Sequence, residues 1–179
     1  MRLLVVSDTH IEDPPKGRYR HDAEDSDSET IADLPEELLE TARSSDGIIH
    51  AGDFTGETAL GLFRGLGPPL YAVRGNMDSP SVARVLDDTL VFELDGIRIG
   101  LTHGYGAPQG IDQRVKELLP GGLDVIIFGH SHRPMLKEEA GFLLLNPGST
   151  APGPFGNQRS YALLFLDSGR ARGELRYLL

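Results

Sequence analysis

The 179-residue sequence contains no cysteine and no long hydrophobic run. Without cysteine the chain has no disulfide bond, no thiolate metal site and no cysteine nucleophile, and a reducing compartment suits it. No apolar run approaches the roughly 20 residues that a membrane-spanning helix needs, so we expect no membrane among its partners. The apolar start of the chain is too short for a secretory signal peptide and leads directly into polar residues. We therefore expect a cytoplasmic protein.

Basic residues are also scarce. Lys and Arg number 17 against 27 Asp and Glu, which gives a net charge of −10 at pH 7. A chain of this charge repels a long polyanion unless a local basic patch overcomes the field, and the sequence shows no such patch. We therefore expect no long nucleic acid as a partner. The length and the 39% hydrophobic content predict a single globular domain spanning residues 1–179.

Short apolar runs alternate with runs of helical spacing in the first half of the chain. LLVV (3–6), IIHA (48–51) and LYAV (70–73) predict buried strands with helices between them. The second half is rich in strand candidates, and the pair Asp95-Gly96 predicts a hairpin turn. Parallel βαβ units followed by antiparallel pairs predict an α/β fold, a two-sheet α/β-β/α sandwich of mixed sheets with helices on the outer faces.

One segment, at about 12–30, departs from this alternation. It carries seven acidic and three basic residues, two prolines and few apolar side chains. Such a composition buries too little surface to offset the entropy lost on ordering, so we predict a mobile acidic insertion within the domain. A solvated insertion is the simpler interpretation. A lid over a nearby site is the alternative, because only Ile11 separates the segment from His10.

Seven side chains with metal-ligating atoms follow five different apolar runs. They are Asp8, His10, Asp53, Asn76, His103, His130 and His132. In open α/β sheets, ligands bind outside the carboxyl ends of the strands, which is where these residues would gather. A single Asp after a strand is usually a helix cap or a turn residue, and a single His is usually structural. Seven such residues at five strand ends favour a metal site over coincidence.

The donor atoms of this set are oxygen and nitrogen only: two carboxylates, one amide and four imidazoles. Such donors suit manganese, iron, zinc, cobalt or nickel. Seven ligands are too many for one ion, but they suit two ions if one carboxylate bridges them. Two ions about 3.5–4 Å apart form a clamp for hydrolytic displacement at phosphorus.

At these positions the sequence resembles a known family. The motifs are DTH (8–10), GD (52–53), GN (75–76), THG (102–104) and GHSH (129–132). Their order and approximate spacing are similar to those of the calcineurin-like metallophosphoesterases, from residue 3 to about residue 150. The short length and the stretch NPGS (146–149) look most like the compact YfcE/Vps29-type phosphodiesterase branch of that superfamily.

The resemblance implies a role for each ligand. Asp8, His10 and His132 would bind the first ion together with Asp53, Asp53 would bridge, and Asn76, His103 and His130 would complete the second site. It also implies a binuclear phosphoesterase that hydrolyses phosphodiesters by means of a metal-bridging hydroxide, with no further catalytic side chain. Two divalent metal ions are expected, and manganese is the preferred metal, with iron, zinc, nickel or cobalt as alternatives.

Neighbouring residues have less specific predictions. His50 either orients a ligand or is a buried structural histidine. Asp78 either orients a ligand or caps the helix that begins after Ser79, and capping is favoured. Tyr105 is expected at the rim or in packing. The candidate substrate contacts are Arg74, Met77, Asn146 and Ser149, of which the last two are implied by the resemblance alone. Arg133 is a further candidate for phosphate, and a solvated surface position is the alternative for both arginines.

Position 77 departs from the family pattern, because Met77 stands where many members have a histidine. In the larger relatives that histidine is associated with protonating the leaving group or holding phosphate, and a thioether does neither. General acid catalysis is typically worth roughly 10²–10⁴-fold, so good leaving groups should be favoured here. His21 of the 12–30 segment is a candidate substitute acid.

Two other functions stay open at this point. One is hydrolysis of phosphomonoesters or pyrophosphate on the same site. The other is a Vps29-like protein-binding scaffold with little activity, although seven ligand-competent positions favour catalysis. The expected partner is a small phosphoester substrate, and a homo-oligomer is possible.

Overall fold

The computed structural model describes residues 1–14, 34–139, 141–152 and 158–178. Within these ranges the chain forms ten strands and four helices. The insertion predicted at 12–30 lies outside the described residues from residue 15 onward, as does His21. No helix in this described part of the chain is long and apolar enough to cross a membrane.

The first sheet contains five strands. They are β1 (Arg2–Val6), β2 (Gly47–His50), β3 (Leu70–Ala72), β9 (Ser160–Asp167) and β10 (Arg170–Tyr177). Their order across the sheet is β10-β9-β1-β2-β3. β1, β2 and β3 are parallel, whereas β9 pairs antiparallel with both β1 and β10. The βαβ pairing predicted for the first half of the chain is therefore present.

The second sheet also contains five strands. They are β4 (Thr89–Leu94), β5 (Ile97–Thr102), β6 (Val125–Ile127), β7 (Met135–Glu139) and β8 (Phe142–Asn146). Their order is β4-β5-β6-β8-β7. The predicted antiparallel pairs form its two edges, but β5, β6 and β8 in the centre are parallel. The sequence interpretation missed this parallel centre, because β7 runs to the edge and lets β8 return beside β6.

Four helices cover the outer faces of the sandwich. They are α1 (Glu36–Arg43), α2 (Glu57–Gly65), α3 (Pro80–Ala83) and α4 (Ile111–Leu118). Leu38 of α1 and Phe63 of α2 pack against Leu4 and Ile48 of the first sheet, and α4 packs on the second sheet. Full burial of one such side chain contributes about 1.5–3 kcal/mol. The predicted α/β sandwich is confirmed.

A third apolar cluster fills the space between the sheets. Leu3 and Val5 of β1 meet Ile99 and Leu101 of β5 there, and all four are wholly buried. At one edge of the sandwich the ring of Tyr71 stacks on a second aromatic ring from β4, that of Phe92, with centroids 4.4 Å apart. This shared core fixes the position of the two sheets relative to each other, and strands of both sheets end at the same pole of the molecule.

The segment after β1 is tied to the start of α2. Gly56 precedes that helix and has no capping side chain. The carboxylate of Asp13 instead accepts hydrogen bonds from the backbone N–H groups of Glu57 (3.0 Å) and Thr58 (2.8 Å). A carboxylate at these N–H groups satisfies donors that the helix leaves open and complements its dipole. The chain that follows His10 is therefore anchored up to residue 13.

Candidate metal centre

Five strand ends converge at one pole of the sandwich. β1, β2 and β3 of the first sheet end there, together with β5 and β6 of the second sheet. Each is followed by at least one of the predicted ligands, and the side chains form one continuous group. Its members are Asp8, His10, Asp53, Asn76, His103, His130 and His132. The fold thus collects residues that are up to 124 positions apart, between 8 and 132, in the sequence.

The first cluster contains Asp8, His10 and His132. His132 Nε2 lies 3.1 Å from Asp8 Oδ1. His10 Nε2 lies 3.2 Å from His132 Nε2 and 3.9 Å from Asp8 Oδ1. The two imidazoles are partly exposed, whereas the Asp8 side chain is wholly buried. Three donor atoms of this kind at this spacing are what one divalent cation requires.

The second cluster contains Asn76, His103 and His130. Asn76 Oδ1 lies 2.8 Å from His130 Nδ1 and 3.1 Å from His103 Nε2. The two imidazole nitrogens are 3.3 Å apart. Asn76 is exposed and His103 is buried, so the cluster opens to solvent on the side of the asparagine.

Asp53 lies between the two clusters. Its Oδ2 is 3.3 Å from His103 Nε2 and 3.9 Å from His10 Nε2. Its Oδ1 accepts a hydrogen bond from the backbone N–H of Met77 at 2.7 Å. One oxygen is therefore held by the protein backbone, and the other points toward both clusters, as a bridging ligand requires.

Hydrogen bonds fix one proton on each of two imidazoles of the second cluster, and each of these protons lies on the nitrogen that faces away from Asn76. His103 Nδ1 donates to the carbonyl of Ala51 (2.8 Å), and His130 Nε2 donates to the carbonyl of Gly106 (2.8 Å). In a neutral imidazole the other nitrogen then carries a lone pair. These lone pairs meet the amide oxygen of Asn76, so three acceptors converge without a proton between them. A cation between these atoms relieves that arrangement.

The buried carboxylate of Asp8 points to the same conclusion. Its Oδ2 accepts a hydrogen bond from the backbone N–H of His130 at 3.1 Å. Its Oδ1 receives none from the described residues, and the approach of His132 Nε2 lacks hydrogen-bond geometry. A buried carboxylate oxygen without a partner is costly unless a cation satisfies it. The residues therefore fit divalent cations bound by nitrogen and oxygen donors.

The pKa values of this group reflect its crowded charges. Burial alone would raise the pKa of Asp53, but the neighbouring His103 and the Met77 N–H outweigh it and hold that pKa below its ordinary value. Burial alone would lower the pKa of His103, but Asp53 and Asp8 raise it. The contact with Asp8 also raises the pKa of His132. The carboxylates thus favour positive charge at the imidazoles, which protons and metal ions compete to supply.

The backbone of this group is unusual. Five of the seven residues have a positive φ: Asp8 (54°), His10 (49°), Asp53 (59°), His130 (66°) and His132 (54°). A non-glycine residue in the left-handed region costs about 1–3 kcal/mol and persists only where its surroundings enforce it. Such a concentration of strained residues at one pole indicates a functional site.

Two glycines allow the strand ends to approach one another. A Cβ on Gly75 would lie 2.1 Å from Asp53 Oδ1, and a Cβ on Gly129 would lie 1.9 Å from Ser7 Oγ and 2.9 Å from Asp8 Oδ2. All three distances are inside van der Waals contact. Gly75 and Gly129 are therefore required by the close approach of these groups.

His50 is a structural histidine. It is wholly buried, and its ring stacks on that of Phe54 with centroids 3.5 Å apart. Its Nδ1 accepts a hydrogen bond from the N–H of Gly52 (3.2 Å), and its Nε2 lies 3.3 Å from Thr9 Oγ1. Burial holds the pKa of His50 well below its ordinary value, and the charge of His103 lowers that pKa further. The ring joins the loops after β1 and β2 without contacting a ligand side chain.

The role favoured for Asp78 from the sequence, capping α3, is wrong. Ser79 caps that helix, since its Oγ accepts from the N–H of Val82. The Asp78 carboxylate accepts instead from the backbone N–H groups of Gly75 (2.7 Å) and Thr55 (2.8 Å). It thereby ties the loop that carries Asn76 to the loop that follows Asp53.

The substrate contacts predicted for Asn146 and Ser149 also need correction. Both side chains are almost wholly buried. Asn146 Nδ2 donates to the carbonyl of Gly129 (2.8 Å), and Ser149 Oγ donates to the carbonyl of Asp8 (2.9 Å). Because their polar atoms are used in these bonds, they support the backbone of the ligand loops and do not line the site.

Arg74 and Met77 lie in the loop after β3, on either side of Gly75 and Asn76. The guanidinium of Arg74 donates to both carboxylate oxygens of Asp88, at 2.6 and 2.8 Å, so a contact with phosphate would require that ion pair to break. Met77 contributes its N–H to Asp53, and its side chain is 56% exposed. Arg133, next to His132, is exposed.

Thr55 was not anticipated from the sequence. Its Oγ1 lies 3.3 Å from His10 Nδ1, so it holds the outer nitrogen of that ring and leaves Nε2 facing the cluster. Its φ of 77° is unusual for a β-branched residue. The only available signal was its position two residues after Asp53, and many threonines occupy such positions without this role.

Comparisons with known proteins identify the family of this chain. The sequence model of a family described as the calcineurin-like phosphoesterase superfamily domain matches residues 1–169. A probable metallophosphoesterase of Methanothermobacter thermautotrophicus is 35% identical over 150 residues, which cover 83% of this chain and 77% of that protein. Phosphodiesterase MJ0936 of Methanocaldococcus jannaschii is 27% identical over 161 residues, covering 83% of each protein.

A solved structure shares the fold over the whole chain. The solution NMR structure of protein TM1076 of Thermotoga maritima has a TM-score of 0.69 and 35% identity, and the match covers 99% of both chains.

Proposed function

Because this chain belongs to the calcineurin-like phosphoesterase superfamily and is a metal-dependent phosphoesterase, we propose that it hydrolyses small phosphodiesters at a binuclear centre. The seven strand-end residues described above are its proposed ligands. Phosphodiesterase MJ0936 is a relative with the activity that we assign here.

One observation carries the binuclear assignment. Oδ2 of Asp53 lies 3.3 Å from a nitrogen of one cluster and 3.9 Å from a nitrogen of the other. The first cluster then offers Asp8, His10 and His132 to one ion, and the second offers the remaining ligands to the other. Manganese is the ion that we favour, with iron, zinc, nickel and cobalt as alternatives of the same donor preference.

Charge explains why such a site suits an anionic ester. When bound, two divalent ions supply a water-derived nucleophile at neutral pH and positive charge that stabilises the phosphate oxygens. The chain itself contributes two carboxylates, Asp8 and Asp53, and imidazoles whose outer nitrogens are bound to oxygen atoms. Two carboxylates leave part of the ions' charge uncompensated, which attracts a small phosphoester.

Met77 supports a bias toward diesters with good leaving groups. Its side chain is 56% exposed beside Asn76, where a proton donor would be useful, and a thioether donates no proton. We therefore expect Met77→His to raise activity on esters of weakly acidic alcohols more than on aryl esters. If the ratio of the activities on the two kinds of ester did not change, position 77 would not determine the substrate preference.

The main test is hydrolysis of bis-p-nitrophenyl phosphate by metal-stripped protein supplied with Mn²⁺. We expect activity in the wild type and a loss of about 100-fold or more in Asp53→Asn, which removes the bridging charge. Asp167→Asn is the matched control, because Asp167 is an exposed acid at the last position of β9. Equal activity in Asp53→Asn and the control would contradict the proposal.

The same assay separates the alternatives. Preference for phosphomonoesters or pyrophosphate over every diester would assign the monoester or pyrophosphate reaction to this site. A wild type that is inactive with each divalent ion tried would favour the protein-binding scaffold. We also propose that residues 1–179 form one domain. The formation of a homo-oligomer stays a prediction.

A further inference from the structure

A cavity of about 300 Å³ opens beside the second cluster. Asn76 and His103 form its inner wall, so it is continuous with the proposed metal centre. Leu118 of α4 and Tyr105, in the loop after β5, form its outer wall, and both are exposed, at 41% and 49%. Large apolar side chains thus stand open to solvent next to the reactive group.

Tyr105 is held in place from behind. The guanidinium of Arg114 lies 5.7 Å from the centre of its ring and donates to its backbone carbonyl at 3.0 Å. Arg114 also donates to the carbonyls of Ala107 and Gln109, so one side chain fixes the whole loop. An exposed aromatic ring that is immobilised before binding offers a surface for stacking at little entropic cost.

The other residues that line the cavity carry no unbalanced charge. Arg74 and Asp88 both line it, but they form a bidentate ion pair with each other. Thr89 and Thr102 also line the cavity, and Thr102 Oγ1 donates to the carbonyl of Asp88 at 3.2 Å. The cavity therefore suits an uncharged group, whereas the metal centre beside it suits the phosphate.

We propose that this cavity is the subsite for an uncharged aromatic group, an aryl ring or a nucleobase, on one ester arm of the substrate. This inference rests on the proposed function, which places the phosphate at the adjoining centre. A volume near the lower end of that of small-molecule pockets admits a single ring system, and a folded polymer does not fit. Tyr105 is the stacking residue, and Leu118 closes the outer side.

The test compares phenylphosphonate with methylphosphonate as inhibitors of the Mn²⁺-loaded enzyme. Each compound has one organic arm on a carbon–phosphorus bond that the enzyme does not hydrolyse, so the two compounds differ only in the group that they offer to this subsite. We expect the phenyl compound to bind the wild type about 5- to 10-fold more tightly. Calorimetric titration gives the same ratio without turnover.

Three variants make the test specific. Tyr105→Ala should abolish the preference for the phenyl compound, and Tyr105→Phe should retain it. Tyr177→Ala is the control, because Tyr177 is also 49% exposed but does not line the cavity. Thermal melting shows whether each variant is folded, and Tyr105→Phe keeps the test valid if the alanine variant is not.

The outcomes distinguish this subsite from the function on which it rests. Equal affinities of the two phosphonates for the wild type, or a preference that survives in Tyr105→Ala, would overturn the subsite while hydrolysis of bis-p-nitrophenyl phosphate continued. Absence of that hydrolysis in the wild type would contradict the proposed function itself.

Discussion

The two poles of the sandwich differ in how they use strained backbone. At the pole where β1, β2 and β6 end, six non-glycine residues have a positive φ: Asp8, His10, Asp53, Thr55, His130 and His132. At the opposite pole the described residues include two, Asp95 and Ser168, each directly before a glycine in a two-residue hairpin turn. In such turns a positive φ at both positions matches the twist of the strands. At the hairpin pole the positive φ values are therefore explained by the turns, whereas at the first pole they have no local explanation.

The buried polar groups show the same contrast. Every described histidine lies at the first pole, together with the buried carboxylates of Asp8 and Asp53. The hairpin pole carries acids such as Glu138 and Asp124, and they are exposed. Proteins keep strain and buried charge where function requires them. This fold therefore concentrates backbone strain and buried charge at the pole that carries the proposed metal centre.

The largest effect should come from crowding the first pole. Gly129→Ala would force a Cβ to 1.9 Å from Ser7 Oγ. We expect it to lower the free energy of unfolding by about 3 kcal/mol, measured by urea denaturation of metal-free protein. Gly121→Ala is the control, because no atom lies within 4 Å of the added Cβ and its effect should stay within about 0.5 kcal/mol. Equal effects of the two variants would break the contrast between crowded and open positions.

Thr55 offers the next largest effect and the sharpest one. Thr55→Gly removes both the strain at φ 77° and the oxygen that holds His10 Nδ1. We expect the affinity for Mn²⁺ to fall about 10- to 100-fold, while the stability of the metal-free protein stays the same or rises by about 1 kcal/mol. Thr55→Ser keeps the hydroxyl and should keep the affinity. A glycine variant that unfolds more easily and binds Mn²⁺ normally would show that Thr55 serves stability alone.

His50 predicts a pH dependence at the first pole. Its pKa in the folded protein is well below the ordinary value of 6.5, chiefly because the ring is buried. Below pH 6.5 the unfolded chain binds a proton that the folded chain does not, so stability falls as the pH is lowered, by up to about 1.4 kcal/mol per pH unit. His50→Gln removes this contribution. The difference in unfolding free energy between wild type and variant should therefore shrink from pH 7 to pH 5, and parallel curves would refute the assignment.

The smallest effect belongs to the hairpin pole. Ser168→Asn places a residue that tolerates φ 50° before Gly169 and produces the Asn-Gly pair of a two-residue turn. We expect a gain of about 0.5 kcal/mol in thermal or urea unfolding, and no change in Mn²⁺ affinity. A change in metal affinity from this position would mean that the two poles are coupled.

The grouping of the proposed ligands could be predicted from the sequence, because Asp8, His103 and the other five residues each follow a short apolar run. Periodicity located the strands, and a parallel arrangement brings strand ends together. The parallel centre of the second sheet could not be predicted, since the choice between neighbours of β8 depends on contacts far apart in the chain. The same holds for Thr55 and Asp78, whose roles depend on which backbone N–H or imidazole they meet after folding.

The corrections concern buried polar side chains rather than ligands. Asn146 and Ser149 follow a strand of the second sheet just as the ligands do, but they turn inward to backbone carbonyls. The sequence does not distinguish a polar residue that faces a site from one that supports the loop beneath it. Burial makes that distinction, and it becomes visible only in three dimensions.

Metal stoichiometry tests the central claim most directly. Anomalous diffraction at the manganese edge from Mn²⁺-soaked crystals should show two peaks per chain, one among Asp8, His10 and His132 and one among Asn76, His103 and His130. Asn76→Ala should lose or weaken only the second peak. A single peak in the wild type, or two peaks located away from Asp53, would contradict the account.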